Sequence, residues 1–273
     1  MTRISGGRKR LAQLGFLAAV GTIASAAVAA APPVATVLSA LDLSRPFATR
    51  SAWSFTASQE PPIDDPTGVG GDTAPGEVHL CLHKEAAGPC DPHLEDALRS
   101  GLQDDLFSKP HYLNHVQVVH GVSGRPLLLV QTASLHSGDG DQLVLTQALV
   151  YHRGSDRFVR VYDHSTGANN NQEVRYIESG ALKGDIISAE PTSKAPFGFW
   201  VSINALTPGS SYKQVLRYRS ATRYGDGNPL SVIDSEMPNI EQHLGFWRPG
   251  SPLPLPAGRC PKPHLIHMEL WCS

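Results

Sequence analysis

The chain lacks the short motifs that carry chemistry by themselves. It has no Gly-x-Ser-x-Gly elbow, no His-Glu-x-x-His, no Walker loop and no Gly-x-Gly-x-x-Gly after a strand. Motif-borne acyl transfer, zinc proteolysis and nucleotide binding are therefore not written into it. A Ser-His-Asp set or a pair of carboxylates gathered from distant positions is not excluded by those absences. There is no internal repeat and no Asn-x-Ser/Thr glycosylation acceptor. No cysteine lies directly after the first apolar run, which argues against a lipid-modified N-terminus. Between residues 112 and 233 no amphipathic stretch of ten or more residues separates the strand-like segments, so a parallel βαβ sheet is not expected.

The first 31 residues hold the clearest positive signal. Arg3, Arg8, Lys9 and Arg10 precede a run from Leu11 to Ala31 without a charge, and Ala24-Ser25-Ala26 and Ala27-Val28-Ala29 supply A-x-A-like cleavage sites. This is the pattern of a secretory signal peptide. The run also matches the ~20 apolar residues that span a bilayer, so an uncleaved membrane anchor is the alternative. Its many Ala, Gly, Ser and Thr make it weakly apolar and favour cleavage. The expected location is periplasmic or secreted, with membrane contact only if the segment stays attached.

Four of the 23 basic residues and none of the 25 acidic ones lie in that segment, so the remainder carries a formal charge of −6. Nucleic-acid recognition needs a basic surface, and nucleic acid is not expected as a partner. The expected partner is an envelope or extracellular component. The four cysteines, Cys81, Cys90, Cys260 and Cys272, are an even number in an oxidising context. Local pairing, Cys81–Cys90 with Cys260–Cys272, is the expectation, and cross-pairing is its rival. Closing a loop of about ten residues stabilises by roughly 2.5–3 kcal/mol per bridge.

Residues 32–76 are rich in Pro, Gly, Ser, Thr and Asp and read as a linker, with Trp53 and Phe55 packing back onto the body. A single β-rich domain is expected over 77–273. It opens with a strand from Val78 to His83 and a helix with Asp91 as N-cap, Pro92 in first position and Gly101 near its end. Strand-like segments follow at 113–120, 126–135, 142–152, 157–163, 172–178, 184–190, 197–206, 212–223 and 229–234, joined by short turn-rich connectors. A short helix capped by Ser235 and stopped at Gly245 comes next, then a proline-rich strap and a disulfide-closed tail. The fold class is thus all-β: an antiparallel β-sandwich or partly closed barrel of about nine strands, with one or two short helices.

An uninterrupted meander would place alternate connectors at one end. Asp139, Asp141, Asn170, Asn171, Asp226 and Asn228 would then gather there, with His164 at an adjoining strand end. That set could bind a polar ligand such as a sugar, and Asp139, Asp141 and Asp226 could hold calcium, the one cofactor the pattern suggests. Asn and Asp are equally favoured there by turn chemistry alone. The same alternation separates His136 from His120 and His152, so the three would not share a metal. His79, Cys81 and His83 share a strand face, a weaker metal pattern once the cysteines pair. Lys213, Arg217, Arg219 and Arg223 form a basic stripe, with Leu216 and Tyr218 turned inward, and Trp200 is a candidate stacking platform. The expected function is an exported, non-enzymatic binding or structural module. The rival is an exported hydrolase of glycan or peptide, working through carboxylates at the same loop end.

Overall fold

The computed structural model describes residues 34–68, 71–85, 88–90, 107–122, 124–138, 140, 142–166, 173–194, 197–209, 211–255 and 260–273. The leader-like segment and the helix expected from Asp91 lie outside the described residues. Turn chemistry divides the chain into short antiparallel strands, and three sheets carry the architecture. The first holds β1 (Thr36–Asp42), β2 (Ser54–Gln59) and β5 (Val78–His83), in that order. The second is a meander of β6 (Tyr112–His120), β7 (Pro126–Ala133), β8 (Val144–His152) and β9 (Arg157–Thr166). The third is a meander of β10 (Glu173–Tyr176), β11 (Ile186–Pro191), β12 (Gly198–Leu206) and β13 (Tyr212–Arg223). Short pieces complete the description: α1 (Ser44–Phe47), a β3–β4 pair (Ile63–Asp64 with Thr73–Ala74), α2 (Val232–His243), and a hairpin of β14 (Pro263–Ile266) and β15 (Glu269–Cys272). The fold is all-β with antiparallel sheets, and the described strands do not close into a barrel.

Alternation along the strands explains how the sheets stack. Leu128 and Val130 of β7 point to one side, with Leu149 and Phe158, and pack against Phe55, Ala57, Val78, Leu80 and Leu82 of the first sheet. Leu127 and Leu129 point to the other side, with Ala148, Val150 and Tyr162, and meet Tyr176 and Ile186 of the third sheet. The middle sheet is therefore covered on both faces. That is why Leu127-Leu128-Leu129-Val130 reads as a continuous apolar run rather than an alternating one. On the third sheet Ile187, Ala189, Phe199, Val201 and Ile203 face away from the middle sheet and pack on Val232, Ile233 and Ile240 of α2. Burying each of these large side chains fully is worth roughly 1.5–3 kcal/mol.

A polar knot fastens the first sheet to the second. Asp156, in the β8–β9 turn with φ of +46°, accepts from Ser51 Oγ (2.6 Å), Trp53 Nε1 (3.2 Å) and Tyr151 OH (2.6 Å), and lies 3.1 Å from Lys84 Nζ. Hydrogen bonds from Ser51 and Tyr151 hold its carboxyl well below the usual carboxylate range.

Three expectations need correction. The segment 32–76 is not simply a linker: it contributes β1, β2 and the β3–β4 pair. In β2, Phe55 and Ala57 point inward while Ser54, Thr56 and Ser58 point outward, so its period-two pattern is hidden beneath a loop-like composition. The ninth strand, at 229–234, is absent. Ser231, in extended conformation, precedes a helix that starts at Val232, and Val232, Ile233 and Ile240 bury one helical face. A short apolar run such as Leu230–Ile233 fits strand or helix equally until its burial partner is known. The helix therefore starts before Ser235, which lies buried inside it, and Gly245 with φ of +78° follows its end. Finally, the meander is not continuous: hydrogen bonding stops between β9 and β10, so connectors alternate ends only within each sheet.

Both disulfides are local, Cys81–Cys90 and Cys260–Cys272. Among the described residues no helix is long and apolar enough to cross a membrane.

Candidate functional site

In the gap between the two four-stranded sheets, polar side chains interrupt an apolar interior. The strand register builds a row across the middle sheet. His115 of β6 pairs with Gln131 of β7, Gln131 with Thr146 of β8, and Thr146 with His164 of β9. Gln131 Nε2 donates to Thr146 Oγ1 at 2.9 Å, which fixes the centre of the row. Alternation turns the row towards the third sheet, as it does Leu129 and Ala148 beside it.

At the β6–β8 end the row lines a cleft of about 260 Å³. His115, Gln117, Gln131 and Thr146 form one wall, and Arg175 and Glu178 lie on the other, with Leu129, Val174 and Tyr176 as the apolar part. The charged groups there are already engaged. Arg175 pairs with Glu173 and with Asp234, and Gln117 Nε2 donates to Glu178 at 3.2 Å. What the cleft offers is amide, hydroxyl and imidazole hydrogen bonding, beside an Arg175 held by two carboxylates and a Glu178 carboxylate that accepts from Gln117.

At the β9 end, His164 Nε2 lies 2.8 Å from Glu190 Oε1. The His164 bond holds the Glu190 carboxyl below its ordinary value, with Arg217 adding to the effect. Two buried phenols line this same gap: the Tyr162 and Tyr176 hydroxyls have no hydrogen-bond partner among the described residues. Burial pushes Tyr176 up to about 12 and Tyr162 higher still, so both stay protonated and able to donate. A buried hydroxyl left without a partner costs about 1–3 kcal/mol, and of the two phenols Tyr176 borders the cleft.

Three of the residues expected to form a shared loop end lie among the described residues. His164 faces the gap, paired with Glu190. Asp226 and Asn228 belong to the turn after β13, on the α2 side. Asp226 Oδ2 accepts from Arg223 N–H (3.2 Å) and Oδ1 from Asn228 N–H (2.8 Å). Asn228 Nδ2 donates to Ser235 Oγ (2.8 Å) and Leu270 O (3.0 Å), and its Oδ1 accepts from Leu230 N–H. Both side chains are consumed in shaping the turn and docking the C-terminal hairpin. Asp139, Asp141, Asn170 and Asn171 lie outside the described residues.

The other patterns resolve plainly. Among the described residues, one group could hold a metal ion, Cys81, His83 and Cys90, but its sulfurs form a disulfide. His136 lies in the connector opposite the end that holds His120 and His152. Leu216 and Tyr218 turn inward as expected, while Arg217 stacks over Trp200 with its guanidinium 4.7 Å from the ring. Gln117, Gln131, Thr146 and Glu190 were not singled out from the sequence. The available signal was polar residues at inward positions of otherwise apolar strands.

No protein-family model, curated protein or solved structure matches the chain.

Proposed function

We propose that this is an exported binding module whose inter-sheet cleft takes a small, neutral, hydroxyl-rich ligand of the sugar class. The observation that carries this reading is the row His115–Gln131–Thr146, laid across three strands and lining a cleft of about 260 Å³. Neutral amides and hydroxyls at fixed positions in an apolar setting are how proteins orient small polar ligands. Engagement of Arg175 with Asp234 and Glu173 disfavours an anionic ligand there. Export is supported by the leader-like segment and by two disulfides, which persist in oxidising compartments.

The test is a glycan array probed with the oxidised protein, followed by titration calorimetry on the best binder. Gln131→Leu removes the amide while keeping volume, and Gln117→Ala removes a rim contact. The expected result is at least tenfold weaker binding for Gln131→Leu with a retained cooperative unfolding transition. Binding unchanged in both variants, or no sugar bound at millimolar concentration, would overturn the reading.

A further inference from the structure

A second site lies on the first sheet, away from the cleft. Cys81 sits in β5, an edge strand of that sheet, and is almost buried, whereas Cys90 is exposed. Cys90 forms an isolated antiparallel bridge with His83. His83, two residues from Cys81, brings its imidazole Nδ1 to 3.5 Å from Cys81 Sγ. That Nδ1 also lies 2.9 Å from the Gly88 carbonyl oxygen. A carbonyl can only accept, so Nδ1 carries the hydrogen, and Nε2 is left to meet Thr56 Oγ1 at 3.2 Å. An N–H donor is thus held beside Cys81 sulfur by two further contacts.

We propose that Cys81–Cys90 is a thiol–disulfide exchange site. An external thiolate attacks the exposed Cys90 Sγ, a new S–S bond forms there, and the Cys81–Cys90 bond breaks. Cys81 departs as a thiolate, and the one His83 Nδ1 hydrogen, directed at the Gly88 carbonyl in the oxidised state, turns to the anionic sulfur 3.5 Å away. A second external thiolate then attacks the mixed disulfide at the incoming sulfur. This releases Cys90 as a thiolate and an oxidised external disulfide, so two electrons reduce the protein bond and two external thiols are oxidised. Stabilising the departing sulfur speeds the exchange and favours the reduced state.

The second disulfide is an internal reference. The pairs span sequence separations of 9 and 12, so loop size alone separates their reducibility by less than about twofold. Cys260 Sγ lies 4.0 Å from the Trp271 carbonyl oxygen, which cannot donate to a thiolate.

The experiment equilibrates the full oxidised chain in glutathione buffers of graded ratio, alkylates the free thiols and reads each pair by peptide mass spectrometry. Cys81–Cys90 should be reduced at a glutathione ratio at least tenfold more oxidising than Cys260–Cys272, and His83→Phe should bring the two within threefold. A brief exposure quenched in acid should find glutathione on Cys90. Equal reducibility of the two pairs in the unaltered chain would overturn the proposal, as would a full gap surviving in His83→Phe. Should that variant fail to fold, the mixed-disulfide position decides: glutathione first on Cys81, or on Cys260 or Cys272 at a comparable rate, refutes the site.

Discussion

Glu236 is the side chain whose removal should reveal most about how the third sheet is held. It is fully buried on α2 and takes four hydrogen bonds: Thr222 N–H (2.7 Å), Thr222 Oγ1 (2.7 Å), Tyr218 OH (2.9 Å) and Asn239 Nδ2 (3.0 Å). In Glu236→Ala the Thr222 hydroxyl keeps Ser235 Oγ at 3.1 Å, but the other three donors lose the acceptor the structure gives them. A buried orphaned donor costs about 1–3 kcal/mol, and partial relaxation places the total near ~4 kcal/mol. With a urea slope of about 3 kcal/mol/M, the unfolding midpoint should fall by ~1.3 M at unchanged slope. Glu236→Gln retains an oxygen for Thr222 but sets its amide against Asn239 Nδ2, and should cost about 2 kcal/mol. Tyr218→Phe removes one bond and should cost about 1 kcal/mol. Equilibrium urea unfolding followed by far-ultraviolet circular dichroism reads all three. A loss of under 1 kcal/mol in Glu236→Ala would refute the claim that this carboxylate latches α2 to the sheet behind the cleft.

Two further outcomes follow from local geometry. Asp156 has its pKa depressed in the folded chain, so its contribution is present above the ordinary carboxylate value of 3.8 and is lost as pH falls towards the folded value. Asp156→Asn should therefore lower the melting temperature at pH 7 and flatten its decline below pH 4. An unchanged acid limb would contradict the knot. The β14–β15 hairpin turns on His267 and Met268, both at positive φ (51° and 74°), a backbone normally given to Asn-Gly. Replacing them with Asn and Gly should stabilise by about 1 kcal/mol in urea, and a destabilised variant would show that their side chains matter more than the strain.

Much of the fold was legible because turn chemistry is local. Gly121–Gly124, Arg153–Asp156 and Thr207–Ser211 each close a hairpin within the two meanders, and the disulfides close loops short enough to be read from spacing. What was not legible depends on long-range context. Val232 and Ile233 become helical because α2 has a sheet face to cover, and β1 and β2 become strands because Val78–His83 is there to pair with β2. The site was less legible still. His115, Gln131, Thr146 and His164 become neighbours only through the lateral register of four strands, and no spacing along the chain encodes that. Asp226 and Asn228 stood out by residue type, yet their type serves the turn and the hairpin they fasten.

The cleft between the two four-stranded sheets is the central claim, and backbone chemical-shift mapping tests it most directly. The ¹⁵N-labelled, oxidised protein is titrated with the best sugar from the array. Shifts concentrated at Gln117, Gln131, Thr146 and Tyr176 are the result this account predicts. Shifts confined to the Asp226–Asn228 turn or to the Trp200 face, or no shifts at saturating sugar, would contradict it.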